Sequence, residues 1–280
     1  MDLPVITIVM PSYNQAKYIE ESILSILEQG YSNLEFILLD GGSTDGSVEI
    51  IKKYDAQLSY WHSKPDGGQT DALMQGFSMA TGDLMGWINS DDVLLPGALN
   101  NVASAYAANP KVGIYFGDYL LIDGNGQIIQ CKRVPHSGIH WFAKHGHWAF
   151  NSTGVLFSKK AYEAVGGLHK ELYFVMDADL YMRMLLKGIS YYHLGSYHAA
   201  FRRHEGAKTV DGLSDSRKEH YYAAKKYWPA EVEKGRRQKR WHYLYQLFQI
   251  ANGNVKMYLD TRRGRGENWK NWSSRIINDK

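Results

Sequence analysis

The sequence predicts an α/β protein: a doubly wound, mostly parallel sheet with helices on both faces, followed by a helical C-terminal extension. Three observations carry this. Strand-length apolar runs alternate with helical patterns through the first 90 residues, the βαβ rhythm of a parallel sheet. Two of those runs lead into acidic turns, Asp40-Gly41-Gly42-Ser43-Thr44-Asp45-Gly46-Ser47 and Asn89-Ser90-Asp91-Asp92, and open α/β sheets bind ligands at the carboxyl ends of their strands. From about Ser214 the chain turns basic and reads as helical to its end.

The elements follow in order. Val5–Met10 is an apolar first strand, ended by Pro11. Asn14 is placed to cap a helix from about Ala16 to Gln29, whose Ile19, Ile23, Ile26 and Leu27 recur at helical spacing before Gly30 stops it. Glu35–Leu39 is the second strand, and a helix from about Asp45 to Tyr54 follows, with Ser43 or Thr44 near its cap. Ser59–His62 is a short third strand, Thr70–Ala80 a helix ended by Thr81-Gly82, and Leu84–Ile88 a fourth strand. Past Asp92 the rhythm weakens. Pro96–Asn109 reads as a helix, Val112–Phe116 and Asp118–Ile122 as strands, and Asp123-Gly124-Asn125-Gly126 as a hairpin turn into Gln127–Lys132. Ser137–Trp148 reads as a loop or lid. Gly154–Phe157 is a strand, Lys159–Val165 a short helix, Asp177–Lys187 an amphipathic helix and Ile189–Leu194 a strand. The tail breaks at Pro229 and again near Gly253. Residues 1–213 are expected to form one unit, with a donor half over about 1–95 and an acceptor half over 96–213, and residues 214–280 an extension.

Size and composition restrict the function classes. At 280 residues the chain is long enough to bury a sizeable core, and its hydrophobic fraction of 44% and charged fraction of 22% are ordinary for a globular protein. The single cysteine, Cys131, excludes an intrachain disulfide and fits a reducing compartment. No apolar run approaches the roughly 20 residues of a membrane-spanning helix, and Met1-Asp2-Leu3-Pro4 lacks the basic start of a secretory signal. A cytoplasmic place is expected. The net charge of +3 hides an asymmetry: residues 217–280 hold 16 Lys and Arg against 6 Asp and Glu, while residues 1–216 hold 16 against 23.

Asp91 and Asp92 are adjacent, so a turn could face both toward one cation. Mg2+ and Mn2+ are held by one or two carboxylates together with substrate phosphates, and the pattern therefore points to a metal–diphosphate ligand.

The order of the motifs resembles the inverting family-2 glycosyltransferases of GT-A fold, and among them bacterial enzymes that build surface polysaccharides. The segments that carry the resemblance are Pro11-Ser12-Tyr13-Asn14, Asp40–Ser47, Lys64-Pro65-Asp66-Gly67-Gly68-Gln69-Thr70-Asp71-Ala72, Ala80-Thr81-Gly82-Asp83, Asn89-Ser90-Asp91-Asp92 and Asp177-Ala178-Asp179-Leu180, covering roughly residues 4–210. The resemblance implies a hexosyl-type transfer from UDP or another nucleoside-diphosphate sugar to a glycan or lipid-linked acceptor. It implies that Pro11 and Tyr13 pack on the nucleobase, that Asp40 accepts a hydrogen bond from the base, and that Asp66 lies near it. Asp71 then contacts the nucleotide or sugar, and Asp91 approaches ribose or sugar hydroxyls. Asn14 and Gln69 complete the donor set. Asp92 binds the metal, and Asp177 is the candidate general base, with Asp179 as the alternative. His204, in Phe201–Thr209, sits in a segment that can close over the diphosphate as a phosphate or metal contact. Two departures stand out: many relatives carry Asp-Asp-Gly-Ser where this chain has Asp40-Gly41-Gly42-Ser43, and Glu-Asp where it has Met176-Asp177.

Transfer from a nucleoside diphosphate needs a neutralised leaving group, a base for the acceptor hydroxyl and in-line placement. A metal at Asp92 serves the first and Asp177 the second, and one base with direct displacement inverts the anomeric carbon. Arg202, Arg203 and Lys208 around His204 suit a diphosphate. Trp141 and Trp148 suit stacking on a sugar at the acceptor site, and the accompanying His136, His140, His145 and His147 lack the tight spacing of a zinc site. Blander readings stand beside these: adjacent aspartates after a strand also cap helices, Asp40 could close its turn through Ser43, and Asp177 could cap the helix it opens. Arg236-Arg237-Gln238-Lys239-Arg240 ahead of Trp241, Tyr243, Leu244, Leu247, Phe248 and Ile250 reads either as a peripheral contact with anionic membrane on its inner face or as a helix packed on the core with a solvated basic side. No nucleic-acid motif accompanies the charge. The alternatives to a transferase are a degenerate nucleotide-sugar- or glycan-binding domain and a sugar-phosphate nucleotidyltransferase. The latter usually carries glycine and arginine in the first-strand loop, which Pro11-Ser12-Tyr13-Asn14-Gln15 lacks. A nicotinamide dehydrogenase would need Gly-x-Gly-x-x-Gly there.

Overall fold

A computed structural model describes residues 3–134, 139–140, 152–208, 213–227 and 255–278. Strands β1 (Ile6–Ser12), β2 (Leu34–Asp40), β3 (Tyr60–Ser63) and β4 (Leu84–Trp87) pair in parallel in the order β3-β2-β1-β4. Helices α1 (Ile19–Leu27), α2 (Ser47–Lys52) and α3 (Gln69–Met79) make the crossovers. The sheet then continues through β8 (Leu156–Ser158), β6 (Ile114–Asp123), β9 (Tyr191–Arg203) and β5 (Val93–Leu94), with β7 (Ile128–Lys132) beside β6. In this second half only β6 and β9 pair in parallel; β4–β8, β8–β6, β6–β7 and β5–β9 are antiparallel.

The apolar runs of β1 and β2 are continuous because both sheet faces are covered. Val9, Ile37 and Leu39 point into one core with Leu73 and Phe77 of α3, while Ile8, Met10, Phe36 and Leu38 point into the other with Ile19, Ile23 and Ile26 of α1. The second core also takes α4 (Ala98–Ala108) through Leu99 and Val102. The first takes α6 (Met176–Leu186), where Tyr181 stacks on Trp87 with ring centres 5.9 Å apart, and is flanked by α5 (Lys159–Ala164).

The structure departs from the expected boundaries at specific places. Pro11 does not end β1, which runs to Ser12. The pairing of β1 with β4 stops at Val9, so the missing N–H of Pro11 costs no ladder bond on that side. Asn14 does not cap α1, which starts after Tyr18 without a side-chain cap; Ser43 and Thr44 do not cap α2, which starts after Gly46. The two strands expected over Val112–Ile122 are one, β6, with register shifts between Phe116 and Tyr119, and the last strand extends to Arg203.

Of the C-terminal region, α7 (Leu213–Tyr227), α8 (Val255–Gly264) and α9 (Trp269–Asn278) are described. The expected breaks at Pro229 and Gly253 and the basic–aromatic stretch 236–250 lie outside the described residues. Trp269 and Trp272 of α9 join Val93, Leu120, Ile128, Cys131 and Ala200 in a third core, and Thr261 of α8 bonds the Cys131 backbone. Among the described residues no helix is long and apolar enough to cross a membrane.

Candidate functional site

The loops after β1 and β2 are bound to each other. Asn14 takes a positive φ of 51°, a conformation its short amide side chain tolerates. Its N–H donates to Ser43 Oγ at 2.7 Å and its Oδ1 accepts the Thr44 N–H at 2.9 Å. Asp40, fully buried, accepts from the N–H groups of Gly42 and Ser43 at 3.1 and 2.8 Å and from the hydroxyls of Ser43 and Ser63 at 2.5 and 2.6 Å. Its oxygens fold the turn, which the positive φ of Gly42 completes. Tyr13 beside it is 63% exposed, while Pro11 is buried. Asp66 is exposed and accepts the Gly68 N–H at 2.7 Å; a Cβ on Gly41 would stand 3.3 Å from both of its carboxylate oxygens. Asp71 accepts the Gly67 N–H at 3.1 Å and pairs with Lys170 at 3.1 Å, and these two bonds lower its pKa.

Asp91 and Asp92 occupy opposite environments. Asp92 is 1% exposed. One of its oxygens accepts the Arg202 N–H at 2.8 Å, and the other accepts from Asn89 Nδ2 and Thr153 Oγ1, both at 3.1 Å. Burial, and then the charge of Asp91, push its pKa well up. The side chain of Asp91 keeps 18% of its surface exposed, with His204 Nε2 3.0 Å from its Oδ2. His204 Nδ1 lies 2.6 Å from the Glu205 carbonyl. A carbonyl and a carboxylate both only accept, so Nδ1–H donates to Glu205 and Nε2–H donates to Asp91 when both bonds are made. The Asp91 bond raises the His204 pKa against burial. The structure therefore brings His204 to Asp91, whereas the sequence reading set it with Asp92.

The three cations of that segment also separate. Arg202 is 2% exposed, and its guanidinium donates to the carbonyls of Asp91 at 2.8 Å and Asp123 at 3.3 Å and to the carboxylate of Glu21. It lies 5.0 Å from the Tyr18 ring, which in turn packs against His204. The Arg202 charge is thus spent inside the protein. Arg203 is exposed. Lys208 donates to Gln69 Oε1 at 2.8 Å and to the Tyr173 carbonyl and lies 3.8 Å over the Tyr173 ring; burial lowers its pKa to about 8. Gln69 Nε2 donates to Asn89 Oδ1 at 2.7 Å. Lys208, Gln69, Asn89 and Asp92 therefore form one hydrogen-bonded chain.

Asp177 and Asp179 open α6. Asp177 is half-buried and accepts the Ala178 N–H at 2.7 Å. Asp179 is 1% exposed and bonded to Arg183 Nε at 2.8 Å and to the Tyr227 hydroxyl, with His169 Nδ1 3.1 Å away. Arg183 continues to the carbonyls of Val165 and Gly167. Asp179 ties three segments together; Asp177 stands nearer solvent. Trp141, Trp148, His136, His145 and His147 lie outside the described residues. His140 rests against the Leu185 carbonyl at 2.9 Å. Among the described residues no group of three or more His, Cys, Asp or Glu could hold a metal ion. Sequence reasoning missed Thr153, which bonds Asp92 from 61 positions away, Glu21, which receives Arg202 from 181 away, and Tyr18, which packs on Arg202 and His204; no local pattern marks them.

The family model for glycosyl transferase family 2 matches residues 7–166. An uncharacterized glycosyltransferase of Haemophilus influenzae is 35% identical over 133 residues, 46% of this chain and 53% of that protein. Glycosyltransferase GlyG of Streptococcus pneumoniae is 31% identical over 163 residues, 54% of each. The matched region thus spans about half the length of these curated relatives. Among solved structures, S. aureus TarS 1-349 in complex with UDP-GlcNAc superposes with a TM-score of 0.63 at 17% identity, covering 78% of this chain and 65% of that one. The mannosyltransferase PcManGT of Pyrobaculum calidifontis, in complex with GDP-Man and Mn2+, gives 0.60 at 18% identity, covering 80% and 65%. These likenesses show the GT-A fold.

Proposed function

The chain belongs to glycosyl transferase family 2, and on that premise we propose that it moves a sugar from a nucleoside-diphosphate donor to a glycan or lipid-linked acceptor, with inversion by single displacement. The observation that carries this reading is the Asp91–His204 pair at the end of the parallel half-sheet, where such sheets take their ligands. UDP-GlcNAc and GDP-Man in the two structural neighbours support a nucleotide-sugar donor.

The pair also fits a divalent cation. His204 holds its Nδ1 hydrogen against a carbonyl, and a cation bound at Asp91 would take the place of the hydrogen that Nε2 now donates to that carboxylate; a fixed Nδ1–H is what orients metal-binding histidines. Asp91 and His204 would be the protein ligands of Mg2+ or Mn2+, with phosphate oxygens completing the shell; the Mn2+ beside GDP-Man in a neighbour supports this. When bound, such an ion neutralises the leaving diphosphate as a Lewis acid. Asp92 holds Asn89, Thr153 and the Arg202 backbone in place beneath Asp91. Lys208 exchanges its Gln69 and Tyr173 partners for donor oxygens. Tyr13 offers an exposed ring to the base, next to Asp66 and the turn built on Asp40. Asp177 takes the proton of the acceptor hydroxyl, since Asp179 is buried and already bonded to Arg183 and Tyr227. The basic stretch 236–240 brings the enzyme to an anionic membrane that carries a lipid-linked acceptor.

The test is thermal unfolding with UDP, GDP, UDP-GlcNAc and GDP-Man, with and without Mn2+. A ligand that binds only the native state raises the midpoint. A shift with one nucleotide that needs Mn2+ supports the reading; no shift with any of them, in a folded sample, rejects the donor site.

A further inference from the structure

We propose that Glu219, on the C-terminal helix α7, is a positioning residue for Asp177; the proposal rests on the reading of Asp177 as the base. The Glu219 carboxylate accepts three successive backbone N–H groups, those of Tyr173 at 2.7 Å, Phe174, and Val175 at 2.9 Å. Val175 is the cap residue of α6 and no local side chain caps that helix. The first amides of a helix have no partner within it; Glu219 supplies an acceptor to the cap amide, Val175, from 44 residues away, and to the two amides that lead into it, with a negative charge near the positive end of the helix dipole. Asp177 lies two residues beyond the clamped amide.

The same face of α7 repeats the contact at helical spacing. Four residues on, Ala223 is buried with Val175 and Ala178; eight residues on, the Tyr227 hydroxyl donates to Asp179. Lys208 lies between, bonded to the Tyr173 carbonyl, its ammonium favoured by the charges of Asp177 and Glu219. Without Glu219 three amides lose their acceptor together and the turn carrying Asp177 loosens. Misplacing a reacting group by about 1 Å costs on the order of 100-fold in rate.

The experiment compares the full chain with Glu219→Ala, Glu219→Gln, Asp177→Asn and the Glu219→Ala/Asp177→Asn pair. It reads amide hydrogen exchange at residues 173–178, and kcat and KM for consumption of UDP-GlcNAc and GDP-Man with Mn2+. In Glu219→Ala, exchange should quicken across all six positions, and kcat should fall roughly 10- to 100-fold with KM nearly unchanged. Glu219→Gln, which keeps one acceptor oxygen, should recover part of both, and Glu219→Ala should add little to Asp177→Asn. Exchange unchanged at 177 and 178, or quickening that stops at 175, overturns the proposal whatever the turnover. So does a full additional loss in the double variant. Turnover that survives Asp177→Asn while exchange still quickens across 173–178 removes the base reading and leaves the clamp.

Discussion

Asp91 and Asp92 share a turn, but one is half-open beside His204 and the other is sealed under three donors. Their substitutions should therefore fail differently. Asp92→Ala strands the Arg202 N–H, Asn89 and Thr153, each buried unpaired donor costing about 1–3 kcal/mol. At roughly 2–4 °C per kcal/mol for a chain of this size class, the melting midpoint should drop by several degrees before any ligand is added. Asp91→Ala should leave the midpoint within a degree or two and remove the Mn2+-dependent part of the nucleotide shift. The reverse pattern would return the metal to Asp92. Lys208 gives a pH signature. Its folded pKa, near 8, lies below the ordinary lysine value of 10.5. Below pH 8 both folded and unfolded chains are protonated and the cost of the buried charge is fully present. Between about pH 8 and 10.5 the unfolded chain binds more protons, so stability rises with pH. Lys208→Met should flatten that rise in unfolding measured from pH 7 to 10. Residue types at this site were legible in the sequence, their partnerships were not: Asp91 and His204 stand 113 positions apart, and the β5–β9 pairing with the Arg202 bonds to Asp91 and Asp92 brings them together.

At the scale of elements, the parallel strands were legible because a strand buried on both faces is apolar throughout, as Phe36-Ile37-Leu38-Leu39 is. The second half of the sheet was not. Gly117 divides two apolar runs, yet β6 passes through it with a bulge, because β9 pairs on both sides of the break. A Cβ on Gly117 would meet the His198 ring at 2.6 Å, so the glycine marks close strand approach rather than a turn. Likewise Asn14 and Ser43 have the residue types of caps, but bond to each other's loop and fix the floor of the site. α9 shows the same dependence on distant partners: Trp272 is 2% exposed and edge-on to Tyr197 at 4.9 Å, and its neighbour Lys270 pairs with Glu21, which also receives Arg202. Trp272→Ala should cost about 3–5 kcal/mol, read as a lower denaturant midpoint. A loss under about 1 kcal/mol would mean that α9 contributes little to this core.

At the scale of the whole molecule, part of the charge asymmetry is taken up in ion pairs. Within the described tail, Lys218 pairs with Asp215, Arg275 with Glu267 and Lys270 with Glu21. Those cations serve α7 and α9 rather than a partner. In the sequence Arg236, Arg237, Lys239 and Arg240 fall after α7 and before α8, ahead of an aromatic–aliphatic run. A body holding 16 basic against 23 acidic residues repels an anionic surface, so attraction to one would come from the basic tail, where this segment sets four cations within five positions. Each Lys or Arg near such a surface contributes about 1 kcal/mol, and salt screens it within a Debye length of about 10 Å at 0.1 M. The full chain should therefore sediment with vesicles containing about one-third anionic lipid at low salt, and not with neutral ones. Changing the four residues to Gln should weaken that binding by roughly 100-fold or more, and 0.5 M salt should release the wild type. Equal sedimentation with neutral vesicles would move the attraction to the aromatic face. No sedimentation at low salt would make the stretch a solvated surface of a core-packed helix, and the acceptor would then be one that the enzyme meets away from the bilayer.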